Sequence, residues 1–189
     1  MAANPDTDRA AAPDRAQSLG LTPEATQDIL AVLTEVGDEA GRDYASIFAQ
    51  VAAGQTLLQA LDLPPQTVDV LYAQAFARFN ARRVPEAMHL FQSLTLLAPN
   101  VKDHWLGLGI CLRMVDQYDA ARTALDVAHT LAPECPAVVF HRTELACQQQ
   151  DWVRAAADVA RFEALPETPQ RQRLRPEFDR YATLVRNRR

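Results

Sequence analysis

Four histidines, His89, His104, His129 and His141, and three cysteines, Cys111, Cys135 and Cys147, are the residues whose types could hold a metal or supply a nucleophile. Neither chemistry has the spacing it needs. A structural zinc site takes four nitrogen or sulfur ligands, commonly in Cys-x-x-Cys pairs, and no such pair occurs. No histidine is placed to activate a cysteine, and no glycine-rich loop is present to cradle a phosphate. His141 and Glu144 stand three apart on a predicted helix, but two ligands do not make a site, so they read as a mutually satisfied polar pair. No metal, cofactor or enzymatic activity is therefore expected. An odd number of unpaired thiols points to a reducing cytoplasm rather than a disulfide framework.

The other group with a chemical signature is aromatic. Tyr72, Phe76 and Phe79 fall at i, i+4 and i+7, one face of a helix. Such a stripe is core in a generic helix. What it does here depends on the elements around it.

Those elements repeat every 34 residues. Leu71, Trp105 and Val139 are in step, as are Ala75, Gly109 and Thr143, and Val84, Tyr118 and Trp152. Ala87, Ala121 and Ala155 continue the series, with Phe91, Leu125 and Val159, and with Leu94, Ala128 and Phe162. Pro99 and Pro133 close the first two units. The middle unit matches the tetratricopeptide (TPR) pattern at Trp105, Leu108, Gly109, Leu112, Tyr118, Ala121, Leu125, Ala128 and Pro133. Small residues at 109 and 121 let the two helices of a hairpin approach closely, while Trp105, Leu112 and Leu125 fill the space between units.

The spacing predicts helices over 65–81, 84–97, 102–115, 118–131, 136–149 and 152–165, hence an all-α fold of three TPR hairpins across residues 64–168. Asp116, Asp151 and Asn100 stand where N-cap oxygens are wanted, and Pro85 near a helix start. Residues 21–63 read as N-terminal helices that could dimerise. Thr22-Pro23-Glu24 opens one with the stripe Ile29, Leu30, Leu33 and Val36, and others are expected over 42–53 and 56–61. Residues 1–20, rich in Ala, Asp and Pro, are expected to be disordered. Residues 169–189 carry seven arginines against Glu177 and Asp179. The favoured reading is a capping helix whose stripe Phe178, Tyr181, Leu184 and Val185 buries on the last repeat; the other is a basic patch for nucleic acid.

The register changes the reading of the aromatic stripe. Leu71 and Ala75 already occupy the core columns, which leaves Tyr72, Phe76 and Phe79 to line a groove with Asn80 beside them. In the next unit the corresponding residues are Leu106, Ile110, Arg113 and Met114. These eight are the expected peptide-binding residues. Carboxylate-clamp TPR modules need Lys, Arg and Asn here, and Asp69, Tyr72 and Phe76 stand instead.

At 189 residues with formal charge −5 and 48% apolar residues, the chain has the size and composition of one globular domain. Its mild acidity argues against a dedicated nucleic-acid binder. No apolar run reaches the roughly 18 residues of a membrane span, and acids precede the first base at the N-terminus, unlike an export signal.

The run Gly54-Gln55-Thr56-Leu57-Leu58-Gln59-Ala60-Leu61 followed by Leu71-Tyr72-Ala73-Gln74-Ala75-Phe76-Ala77-Arg78-Phe79 resembles the opening of class II type III secretion chaperones, the LcrH/SycD family. Glu86-Ala87, Trp105-Leu106-Gly107-Leu108-Gly109-Ile110-Cys111, Gln117-Tyr118 and Phe140-His141 with Glu144 extend the likeness over 51–165. Arg82-Arg83-Val84 replaces the family's Gly-Lys-Tyr turn, and Leu145 its cysteine. The resemblance implies a bacterial cytoplasmic chaperone that holds an extended segment of hydrophobic translocator proteins in its groove. It also implies a homodimer through the N-terminal helices, and the absence of a long apolar run adds the expectation of no membrane partner. A general TPR scaffold or regulatory adaptor with another protein partner is the alternative.

Overall fold

Left-handed turns and prolines cut the chain into short helices. The computed structural model describes residues 43–188, together with 27, 29–34, 38 and 41 upstream. It divides into two units, one ending at Pro65 and one beginning at Gln66. All regular structure among the described residues is helical.

In the first unit residues 29–34 are helical, with Ile29, Leu30 and Leu33 half-buried. Thr22-Pro23-Glu24, Val36 and the segment 1–20 lie outside the described residues. Helix α1 (Tyr44–Ala52) is capped by Asp43, whose carboxylate accepts from the Ser46 N–H at 2.8 Å. It ends at Gly54, where φ is +99°. Helix α2 (Leu57–Ala60) opens on a capping box in which Thr56 and Gln59 each accept from the other's backbone N–H.

The second unit holds three antiparallel hairpins and one further helix. The hairpins are α3 (Gln66–Asn80) with α4 (Val84–Leu97), α5 (Lys102–Met114) with α6 (Tyr118–Leu131), and α7 (Pro136–Gln148) with α8 (Trp152–Ala164). The 34-residue columns form the core. Ala75, Ala87, Leu94, Ala121, Leu125, Ala128, Val139, Thr143, Ala155 and Phe162 are all fully buried. A Cβ at Gly109 would lie 2.7 Å from Leu125 Cγ, so the glycine sets how closely α5 and α6 pack. Trp105 is fixed by its indole N–H, which donates to the Pro99 carbonyl at 2.7 Å.

Two expected caps are corrected. Asp116 is no N-cap, since its φ of +59° places it in the turn and its carboxylate accepts from the Tyr118 hydroxyl at 2.5 Å. Asn100 is not one either; Val101 occupies the cap position of α5 without a side-chain bond. Asp151 does cap α8, accepting from the Arg154 N–H at 3.1 Å. The turns inside the hairpins instead close the C-terminal ends of the helices before them. Arg82, Asp116 and Gln150, each 34 residues apart, all adopt the left-handed conformation. The next N–H in each case bonds back five residues, to the carbonyls of Arg78, Leu112 and Ala146. This is a Schellman closure with a non-glycine residue at its strained position.

Helix α9 (Pro169–Arg186), capped by Thr168, packs mainly on α7 and less on α8. Phe178, Ala182 and Val185 are buried, and Phe178 stacks on Phe162 with ring centroids 3.7 Å apart. Leu184, expected inside, is 38% exposed, because the buried stripe runs through 171, 178, 182 and 185. Arg171 belongs to that stripe. It is buried and donates to the carbonyls of Phe162 and Glu163 at 3.1 and 2.9 Å, closing the end of α8.

Candidate peptide-binding groove

The first helices of the hairpins, α3, α5 and α7, present the face that the second helices do not cover. On α3 the register buries Ala75 and turns Tyr72 and Phe76 outward, at 36% and 53% exposure. Phe79 is half-buried and packs against the core of the first two hairpins. Between α3 and α5 lies a cavity of about 180 Å³ lined by Tyr72, Phe76, Phe79, Phe91, Asp103, Leu106, Gly107 and Ile110.

Five of the eight expected binding residues line this cavity. Asn80 is exposed at the end of α3, and Met114 is 40% exposed at the end of α5; neither is in the wall. Arg113 is committed elsewhere. Its guanidinium pairs with Glu144 at 2.9 Å and reaches Gln148 at 3.4 Å, which ties α5 to α7.

Three lining residues were missed. Phe91 reads in sequence as a core column, and it is one, yet its ring also forms the cavity floor. Gly107 is overshadowed by Gly109 two residues on. Asp103, the one charged lining residue, bonds to Lys102, its neighbour in sequence. Beneath the rim His104 is buried, with Nδ1 3.1 Å from the Ala98 carbonyl and its ring 6.0 Å from that of Tyr72. Burial depresses its pKa, so it stays neutral; burial and the Asp103 charge raise that of Tyr72, which keeps its hydroxyl proton. The cavity is thus an apolar, aromatic slot with a polar edge.

The same columns end differently on α7. Phe140, in register with Tyr72 and Leu106, is 3% exposed, with the rings of Phe178 and Tyr181 at 6.4 and 5.9 Å. Glu144, in register with Phe76 and Ile110, accepts from the Tyr181 hydroxyl at 3.1 Å, and His141 Nδ1 lies 3.0 Å away. Burial opposes the Glu144 charge, but the His141 hydrogen bond, the Arg113 charge and the Tyr181 hydrogen bond together hold its pKa below the usual carboxylate range. Burial and then the Glu144 charge push Tyr181 up to about 12. The expected His141 and Glu144 pair is therefore part of a larger network. Among the described residues no three His, Cys, Asp or Glu side chains gather as a metal would require.

A second cavity, about 20 Å³, lies among Arg122, Asp126, Arg142, Arg154 and Asp158, with room for about one water. Its walls are already paired: Arg142 lies 3.4 Å from both Asp126 and Asp158.

No family model matches the chain. Over 132 residues it is 25% identical to the low calcium response locus protein H of Yersinia pseudotuberculosis, covering 70% of this chain and 75% of that one. The crystal structure of Pseudomonas aeruginosa PcrH in complex with the chaperone-binding region of PopD superposes with a TM-score of 0.61. Identity there is 25%, over 67% of this chain and 96% of that one. This chain resembles the type III secretion translocator chaperones. The Yersinia enterocolitica translocator chaperone SycD, in an alternative dimer, shares the fold at a TM-score of 0.62 and 22% identity, covering 66% of this chain and 96% of that one. The likeness extends to the all-helical hairpin fold.

Proposed function

We propose that this chain is a bacterial cytoplasmic chaperone of type III secretion translocators, a binding protein and not an enzyme. The reading is that an extended, apolar stretch of the client lies along α3 and α5 with a side chain in the aromatic cavity, which keeps the client from associating prematurely. One observation carries it: Phe76 stands 53% exposed beside Tyr72 at the mouth of an apolar cavity, an aromatic surface left open to water. The PopD complex of PcrH supports the choice of client class.

Co-expression with the translocators of the same operon tests the proposal. The wild-type chain should co-purify with one of them, and the Tyr72→Ala, Phe76→Ala double variant should not. Capture undiminished in the double variant would remove the groove from the function.

The chain also acts as a homodimer in this reading. Helix α1 buries no residue completely, and Ile47, Phe48 and Val51 remain half-exposed for a second copy. Light scattering should give twice the chain mass; a monomer at high micromolar concentration would refute it. Four of the seven arginines near the C-terminus, Arg171 among them, have partners within the fold. Arg175 pairs with Asp179 at 3.0 Å and Arg186 with Glu163 at 2.6 Å, while Arg188 lies 5.6 Å from the Trp152 ring centroid. Nucleic acid is accordingly not a partner in this proposal. Among the described residues no helix is long and apolar enough to cross a membrane.

A further inference from the structure

Two glycines two positions apart on α5 face different neighbours. Gly109 meets α6, as the hairpin requires, and its place is set by Leu125 and the Ala121 carbonyl. Gly107 meets α4. A Cβ built there would lie 2.4, 2.5 and 2.7 Å from Cε1, Cζ and Cδ1 of Phe91, far inside carbon–carbon contact. Glycine is the poorest helix former after proline, so local preference does not explain it in mid-helix. What it supplies is the space into which the Phe91 ring fits.

That ring is the floor of the aromatic cavity, and Gly107 is part of the same wall. Phe91 is 4% exposed and stands edge-on to Tyr72 with centroids 6.0 Å apart. A methyl group at 107 would drive the ring away from α5, toward the α3 wall of the cavity that Tyr72 helps to form. It would also add its own volume to that wall. The depth of the cavity is thus fixed by one absent side chain.

Building on the groove reading above, we propose that Gly107 is a specificity-determining residue: by seating Phe91 at the floor, it sizes the cavity for one branched aliphatic or single-ring side chain of the client. An apolar cavity of about 150 Å³ accepts a benzene ring, and this one measures about 180 Å³. An indole is longer than a single ring and meets the Phe91 floor sooner. Phe91 and Gly107 act as a pair. Enlarging residue 107 makes the slot shallow, and trimming residue 91 makes it deep.

The test uses full-length wild type, Gly107→Ala and Phe91→Leu, each checked for unchanged helicity. The probes are acetylated and amidated Ala-Ala-X-Ala-Ala peptides, with X as Ala, Val, Leu, Phe or Trp. They are titrated at millimolar concentration while the Leu106 and Ile110 amides are followed by NMR. Wild type should bind the Leu and Phe peptides about tenfold or more tightly than those with Ala or Trp. Gly107→Ala should lose about tenfold for Phe and less for Val, and Phe91→Leu should gain Trp. If Gly107→Ala does not fold, the Phe91→Leu ranking decides alone. An identical ranking in every folded variant, with translocator still captured by wild type, overturns the sizing role and leaves the groove standing. No response to any peptide, together with no capture of a translocator, overturns both.

Discussion

The inner face of the first two hairpins and that of the third are built on the same columns and end in opposite states. Tyr72, Phe76, Leu106 and Ile110 line an open cavity. Their counterparts Phe140 and Glu144 lie under α9, against Phe178 and Tyr181. An apolar inner face in a repeat array needs a cover. On the third hairpin the chain's own last helix provides it; on the first two no helix of this unit does. The difference between groove and core here is a matter of which segment arrives to cover the face, more than of which residues the face carries.

The largest effect should come from removing the cover. Phe178→Ala deletes a ring that is 1% exposed and stacked on Phe162, at a cost of about 3–5 kcal/mol in a urea melt. The variant should also bind a hydrophobic dye through the uncovered Phe140. A loss below about 1 kcal/mol would mean α9 is not the third hairpin's cover.

On the open side the order of effects reverses. Tyr72→Ala with Phe76→Ala should weaken capture of a translocator by about 2–4 kcal/mol. The two side chains are only half-buried, so the same double variant should cost about 1–2 kcal/mol of stability, well short of Phe178→Ala. Calorimetry on the complex and a thermal melt of the free chain measure the two. A melt that falls as far as that of Phe178→Ala would erase the contrast between the two faces.

Tyr181→Phe removes one hydrogen bond across the α7–α9 contact and should cost about 1 kcal/mol. Its pH dependence is diagnostic. Glu144 has a depressed pKa in the folded chain, so its stabilising effect is present above the ordinary carboxylate range and lost as pH falls through the folded value. Without the tyrosine hydroxyl that folded value rises toward the ordinary one. The acid limb of the stability curve, whose onset is set by the unfolded chain, should therefore level off at higher pH and lose less stability in Tyr181→Phe, and parallel curves would exclude Glu144 from the contact with Tyr181.

The smallest effect concerns what the hairpins share. Gln150 has φ of +58°, a conformation that costs most residues about 1–2 kcal/mol. Gln150→Gly should stabilise the chain by about 0.5–1 kcal/mol after glycine's extra unfolded-state entropy is subtracted. Arg82→Gly should behave alike. Asp116→Gly should gain less, because it also forfeits the bond from Tyr118.

By itself the sequence determined the repeat and the helices. The 34-residue columns, the prolines at 85 and 136 and the Asp151 cap are local signals, and the six repeat helices end within a residue of where those signals put them. Five of the eight cavity residues followed from the register for the same reason, since it fixes which way each side chain leaves its helix. Only the tertiary structure decided the rest. That Arg113 turns to Glu144, that Arg171 is buried while Leu184 is exposed, and that Gly107 seats a ring all depend on how one helix packs against another. A nearest-neighbour repeat specifies how each hairpin meets the next, and the apolar stripe of the terminal helix adds that it caps the last repeat, but not which of its residues turn inward against α7 and α8. That placement turns one stretch of the inner face into core and leaves the other open.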